Sequence, residues 1–134
     1  MSKKRIYIAG PMRGIRHYNF PAFDAAAERL RRLGFEPVNP ADADRAMGFD
    51  PMALPDDHDW RSLPAMPEGF TARDIAKRCC DAVIGCDGVL VLDRWDESKG
   101  ATTELDLAVW LNKPWCGNWF SDGFVSDRLK GSSC

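Results

Sequence analysis

The sequence predicts an α/β fold built on a parallel sheet, and three stretches predict it. Arg5–Ala9 (RIYIA), the helical pattern after it and Phe35–Val38 form a strand–helix–strand unit, whose crossover in a parallel sheet is right-handed. Val89–Leu92 is an apolar run short enough for a strand buried on both faces. Residues 98–112 then space Ala101, Leu105, Ala108 and Val109 by three and four, so this helix lays one face on the sheet.

In Arg5–Ala9, Ile6 and Ile8 fall on one face of the strand and Tyr7 on the other. The strand runs into Gly10-Pro11-Met12-Arg13-Gly14. Two glycines and an arginine can cradle a phosphate, because glycine lets backbone N–H groups approach an anion. The same residues also suit a tight turn carrying a surface arginine. The loop is not a Walker loop, since no GKS or GKT follows, and its glycines at 10 and 14 do not make GxGxxG.

Asn19-Phe20-Pro21 supplies a cap and an early-turn proline for a helix running to about Leu33. Phe23, Ala26, Ala27, Leu30 and Leu33 make its inner face; Glu28, Arg29, Arg31 and Arg32 make a solvated one. Gly34 stops the helix before the second strand, which ends at Asn39-Pro40.

From about 41 to 69 periodicity fails, and prolines at 51, 55, 64 and 67 mark a lid-like irregular insertion in one domain spanning 1–134. Met52, Leu54, Trp60 and Met66 give it apolar surface to fold over a site or meet another subunit. Asp56, Asp57, His58 and Asp59 read as a solvated loop in preference to a metal site. Phe70–Ile84 is a helix with Ile75, Cys79 and Val83 four apart. Trp115-Cys116 is a short last strand, and the tail from Gly117 carries Trp119, Phe120 and Phe124 without clear period.

The helix at 98–112 carries the chemistry. Ser98 is a candidate N-cap. Glu104 shares the inner face, one turn before Ala108, where a carboxylate costs several kcal/mol unless compensated. It can snorkel outward or serve a site. Lys99 stands at the helix start, where the macrodipole disfavours a cation by about 0.3–1 kcal/mol. Serine, lysine and glycine in a first turn suit an anionic ligand, above the end of the Val89–Leu92 strand, where open parallel sheets bind ligands.

Composition closes off several classes. At 134 residues, 45% hydrophobic and 28% charged, the chain is an ordinary globular domain. A net charge of -2 gives no general attraction to nucleic acid or anionic membranes. No apolar run is long enough to span a bilayer and no signal-peptide core follows Met1–Arg5, so the expected location is cytoplasmic. The cysteines number 5, with Cys79 and Cys80 adjacent and no CxxC, which predicts reduced thiols. With His17 and His58 far apart, no metal or other cofactor is expected.

Three stretches taken together, IYIAGPMRG (Ile6–Gly14), NFPAFDAAAERLRRLGFEPVNPAD (Asn19–Asp42) and CDGVLVLDRWDESKGATTELDLA (Cys86–Ala108), resemble the nucleoside 2-deoxyribosyltransferase-like superfamily. The similarity is greatest to its small phage and bacterial branch of unknown function; 2'-deoxynucleoside 5'-phosphate N-hydrolases are further relatives. The resemblance implies a Rossmann-like or flavodoxin-like three-layer sandwich with about four to five parallel strands. It also implies cleavage of the bond between a nucleobase and C1' of 2-deoxyribose, through a covalent glutamyl-deoxyribosyl intermediate. On that pattern Glu104 matches the nucleophile and Tyr7 the tyrosine that orients it. Arg13 and Ser98 match holders of a 5'-phosphate, and Gly10 and Gly100 let substrate approach the backbone. Pro11 and Lys99 complete the expected binding set, and the two cations favour a nucleotide monophosphate over a nucleoside.

The superfamily pattern also holds an aspartate eight residues before the one that opens the central strand; here that position, counted from Asp87, is Cys79. Asp81 is the expected substitute, with Asp74 the other candidate. The expected partner is a small nucleoside or nucleotide, handled by a homodimer or higher homo-oligomer. A nucleotide-binding or sensing module on the same fold is the other reading, and a phosphate-handling enzyme using Asp87 or Asp93 a third.

Overall fold

The computed structural model describes residues 2–63 and 70–131. Pro64, Met66 and Pro67 of the expected lid, and Cys134, lie outside them. Strands β1 (Arg5–Ala9), β2 (Glu36–Val38), β3 (Gly88–Val91) and β4 (Trp115–Gly117) form one parallel sheet in the order β2-β1-β3-β4. The helices are α1 (Phe20–Arg32), α2 (Pro40–Ala46), α3 (Ala72–Gly85), α4 (Lys99–Trp110) and α5 (Asp122–Leu129).

Alternation along β1 sorts the core into two layers. Ile6 and Ile8 pack with Phe23, Ala26, Ala27 and Leu30 of α1 and with Val125 and Leu129 of α5. Tyr7 and Ala9 pack on the other side with Val83 of α3 and Ala101, Leu105 and Ala108 of α4. The fold is therefore the three-layer α/β sandwich expected. Each fully buried aliphatic or aromatic side chain contributes about 1.5–3 kcal/mol. β3 is buried at every position, as its unbroken apolar run requires.

Four local expectations need correction. The stretch from residue 41 is not irregular at its start: Asn39 accepts from the Ala41 N–H at 3.0 Å and Pro40 opens α2, so Asn-Pro begins a helix as well as ending a strand. Asn19 does not cap α1 through its side chain; its Nδ2 donates instead to the Pro11 carbonyl at 2.7 Å. Arg29 is not on a solvated face. It donates to Asp122, to Asn118 and to the Phe120 carbonyl at 2.6–2.9 Å, clamping the β4–α5 connection onto α1. Val109 is 51% exposed, because it lies about 80° around α4 from Ala101, beside the buried stripe of Ala101, Leu105 and Ala108.

Asp57 and Asp59 of the acidic cluster serve local turns: Asp59 caps the 3-10 turn Trp60–Ser62 and pairs with Arg61 at 2.8 Å, while Asp57 accepts from the Asp59 N–H at 3.0 Å. The cysteines at 79, 80, 86 and 116 are free. Among the described residues no helix is long and apolar enough to cross a membrane.

Candidate functional site

In the order β2-β1-β3-β4 the chain leaves β1 toward one side and returns to the other at β3, so the switch point lies between these strands. Ligands of open parallel sheets bind at the carboxyl ends of the strands at such a point. A cavity of ≈ 400 Å³ opens there, lined by the end of β1, residues 10–13, one face of α3 and the first turns of α4.

Glu104 is at its floor. Among the described residues, its Oε2 is the buried side-chain atom left without a hydrogen-bond partner. Burial pushes this carboxyl up to about 7, while a hydrogen bond from the Tyr7 hydroxyl pulls it down. Tyr7 pairs with Val89 in the sheet and faces the α3–α4 layer, which carries its ring to Glu104. Burial, then the charge of Glu104, raises the Tyr7 hydroxyl well above its ordinary value. Cys79 on α3 is hydrogen-bonded to the same hydroxyl, and burial followed by the Glu104 charge raises its thiol to about 11. At neutral pH the row Cys79, Tyr7, Glu104 thus contains two protonated groups and one carboxyl poised between states.

Two cations and a serine hydroxyl gather at the mouth of the cavity. Ser98 caps α4, its Oγ accepting from the Ala101 N–H at 3.1 Å, and its own proton remains free to donate. Lys99 and Arg13 line the cavity and are exposed. A Cβ at Gly100 would stand 3.8 Å from Ser98 Oγ and 3.9 Å from Glu104 Oε1, so the helix start and the carboxylate border the same space. Gly10 is required by close approach: a Cβ there would lie 2.8 Å from that of Leu92.

One cavity therefore brings together Glu104, Tyr7, Gly10, Pro11, Arg13, Ser98, Lys99 and Gly100. Asp81 stands apart. Its carboxylate is exposed on α3 and paired with Lys77 at 2.7 Å, because two positions on from Cys79 is across the helix. Asp74 is spent at the other end of α3, accepting from the Thr71 hydroxyl at 2.7 Å. Asp87 accepts from the Arg5 N–H at 2.8 Å at the start of β1, the end of the sheet away from the cavity, and Asp93 is not among the lining residues. Glu97 lines the cavity, but Arg94 pairs with it at 2.9 Å and holds its carboxyl below the usual range.

Sequence reasoning missed Tyr18. It follows His17 and precedes Asn19 in three consecutive left-handed residues, with φ of 54°, 54° and 58°. Each costs an L-residue about 1–2 kcal/mol, less for asparagine. The Tyr18 N–H bonded to Ile15 O at 2.8 Å, the Asn19 bond to Pro11, and the Gly14 N–H bonded to His58 O at 3.0 Å hold the turn. It delivers the Tyr18 ring into the cavity against Phe49, 5.0 Å between centroids. Phe23, Trp60 and Ile75 continue this apolar wall. Only Asn19 hints at the turn, since asparagine tolerates left-handed backbone.

Residues 4–115 match the family described as a domain of unknown function, DUF4406. No curated protein matches the chain. Among solved structures, a 2-deoxyribosyltransferase from Bacillus psychrosaccharolyticus is similar, with a TM-score of 0.55 and 19% identity over 93% of this chain and 82% of that one. At that identity the likeness is one of fold.

Proposed function

The chain belongs to the DUF4406 family, and from its site we propose that it breaks or exchanges the N-glycosidic bond of 2'-deoxynucleoside 5'-monophosphates, or of the nucleosides, with Glu104 as nucleophile. The observation that carries this reading is the Glu104 carboxylate, buried at the switch point with one oxygen unpartnered and the Tyr7 hydroxyl on it. A Glu104 oxygen bonds C1' as the C1'–N bond breaks, and that bond's electron pair leaves with the base, which takes a proton from solvent. Water then adds at C1', losing a proton, and frees Glu104 with deoxyribose 5-phosphate; a second base in its place gives transfer. Tyr7 keeps the carboxylate oriented and part-ionised. Arg13, Lys99, Ser98 and the N-terminus of α4 hold the phosphate.

One observation favours the second reading, a nucleotide-binding module without turnover. On the superfamily pattern Cys79 takes the place of the acid that would protonate the leaving base, while Asp81 is exposed and paired with Lys77, and a thiol at about 11 is a poor acid at neutral pH. Losing that assistance costs about 10²–10⁴-fold, so turnover is slow and favours bases that leave easily. The homo-oligomer belongs to the same proposal; the exposed rings of Trp119, Phe120 and Phe124, clustered within 4.6–5.7 Å, support it.

The test is chromatography of free base released from deoxynucleosides and their 5'-monophosphates, each with and without a second base. Release from monophosphates, abolished in Glu104→Ala with binding kept within a few-fold, is the expected result. Binding without release, in wild type as in the variant, gives the module instead.

A further inference from the structure

Tyr7 and Tyr18 are both buried tyrosines lining the cavity, and they differ in one respect. The Tyr7 hydroxyl has Glu104 and Cys79 as partners. The Tyr18 side chain, in a residue only 6% exposed, has no hydrogen-bond partner among the described residues. Its hydroxyl is also absent from the fully buried unpartnered atoms, so it opens to the cavity. A buried hydroxyl held open toward a cavity by a strained turn awaits a partner from the ligand.

We propose that Tyr18 is a specificity-determining residue that selects the nucleobase, its hydroxyl hydrogen-bonding the exocyclic group at purine C6 or pyrimidine C4 while its ring, with Phe23 and Trp60, flanks the base. This rests on the nucleotide reading above. The surroundings favour a base over a phosphate here. Phe49 at 5.0 Å and Phe20 at 6.1 Å fix the ring, and the lining beside it is apolar. Of the charges acting on Tyr18, Asp44 is the strongest, followed by Arg13 and then Asp59, and Arg61 lies within reach of the same hydroxyl. Both carboxylates are paired, Asp59 with Arg61 and Asp44 with Arg78, so the preference for a base rests on the apolar lining around the ring. Burial keeps the hydroxyl protonated, so it can both donate and accept. A site that hydrogen-bonds a substrate group rejects analogues lacking it far better than an apolar wall rejects a change of size.

The experiment is calorimetric titration of wild type, Tyr18→Phe and Arg13→Ala with the 5'-monophosphates of the four common deoxynucleosides, a binding readout that needs no turnover. Tyr18→Phe is expected to weaken the favoured nucleotide by about 5- to 150-fold, the range for stranding one polar group, and the least favoured by under about twofold. Arg13→Ala is expected to weaken all four alike. An unchanged ranking in Tyr18→Phe, or an equal loss on all four, overturns this inference and leaves the nucleotide reading standing. Failure of all four to bind wild type overturns both. Should Tyr18→Phe not fold, wild type titrated with the nucleotides of unsubstituted purine and pyrimidin-2-one decides the matter. Loss of binding relative to the parent base is expected, and equal binding overturns the inference.

Discussion

Replacing Tyr7 with phenylalanine isolates the device that keeps Glu104 usable. Two opposed effects set that carboxyl at about 7: burial raises it, and the Tyr7 hydrogen bond lowers it. A hydrogen bond to a charged group contributes about 1.5–3 kcal/mol. At 1.36 kcal/mol per pH unit, removing it raises the midpoint by about one to two units. A nucleophile works only when ionised, so kcat/KM of the wild type should rise through about pH 7. In Tyr7→Phe the rise should move to about pH 8–9, and activity at pH 7 should fall about 5- to 50-fold. The assay is base release across pH 5.5–10, buffers at about constant ionic strength. Recovery toward the wild-type plateau at high pH is the distinguishing feature. A Tyr7→Phe profile with an unmoved midpoint and a uniformly lower plateau would refute the reasoning, since the tyrosine would then be acting on substrate and not on Glu104.

The same burial gives a stability prediction. A carboxyl at 4.5 unfolded and about 7 folded binds more protons in the folded state between those values, so stability falls as pH rises across that window. Glu104→Gln should therefore be about 3 kcal/mol less pH-sensitive than wild type between pH 4.5 and 8, read by urea unfolding; parallel curves would contradict the burial of the charge. Arg13→Ala should weaken monophosphate binding by about 1.5–3 kcal/mol and nucleoside binding little. Equal losses on both would remove Arg13 from the phosphate site. Asp81→Asn should leave base release unchanged within about twofold, because the carboxylate is exposed beside Lys77. A larger loss, read from the same assay, would return Asp81 to the site.

Most of the frame was legible because periodicity reports burial directly. Alternation in Ile6–Ile8 placed Tyr7 on its own face, and the unbroken run Val89–Leu92 marked a strand covered on both sides. Three-four spacing oriented α4 and turned Glu104 inward, with Val109 the exposed exception beside the buried stripe. What stayed illegible depends on contacts between distant residues. Arg29 reads as one charge among several until Asp122 and the Phe120 carbonyl meet it across the fold. The pair of Asp44 and Arg78, which ties α2 to α3, joins a stretch with no period to a helix, and no local pattern announces it. Tyr18 was hidden more deeply. A run of left-handed residues without glycine has no propensity signature, and only its anchors at Pro11, Ile15 and His58 hold it. The direction of Asp81 turned on helical phase alone: two residues from Cys79 is about 200° around the helix, which carries it away from the cavity.

The measurement that tests the central claim most directly is mass spectrometry of the protein quenched in acid during reaction with a deoxynucleoside 5'-monophosphate. The account predicts a deoxyribose phosphate adduct on the peptide that contains Glu104, lost in Glu104→Ala. Accumulation of free base with no adduct, and with turnover retained in Glu104→Ala, would contradict it.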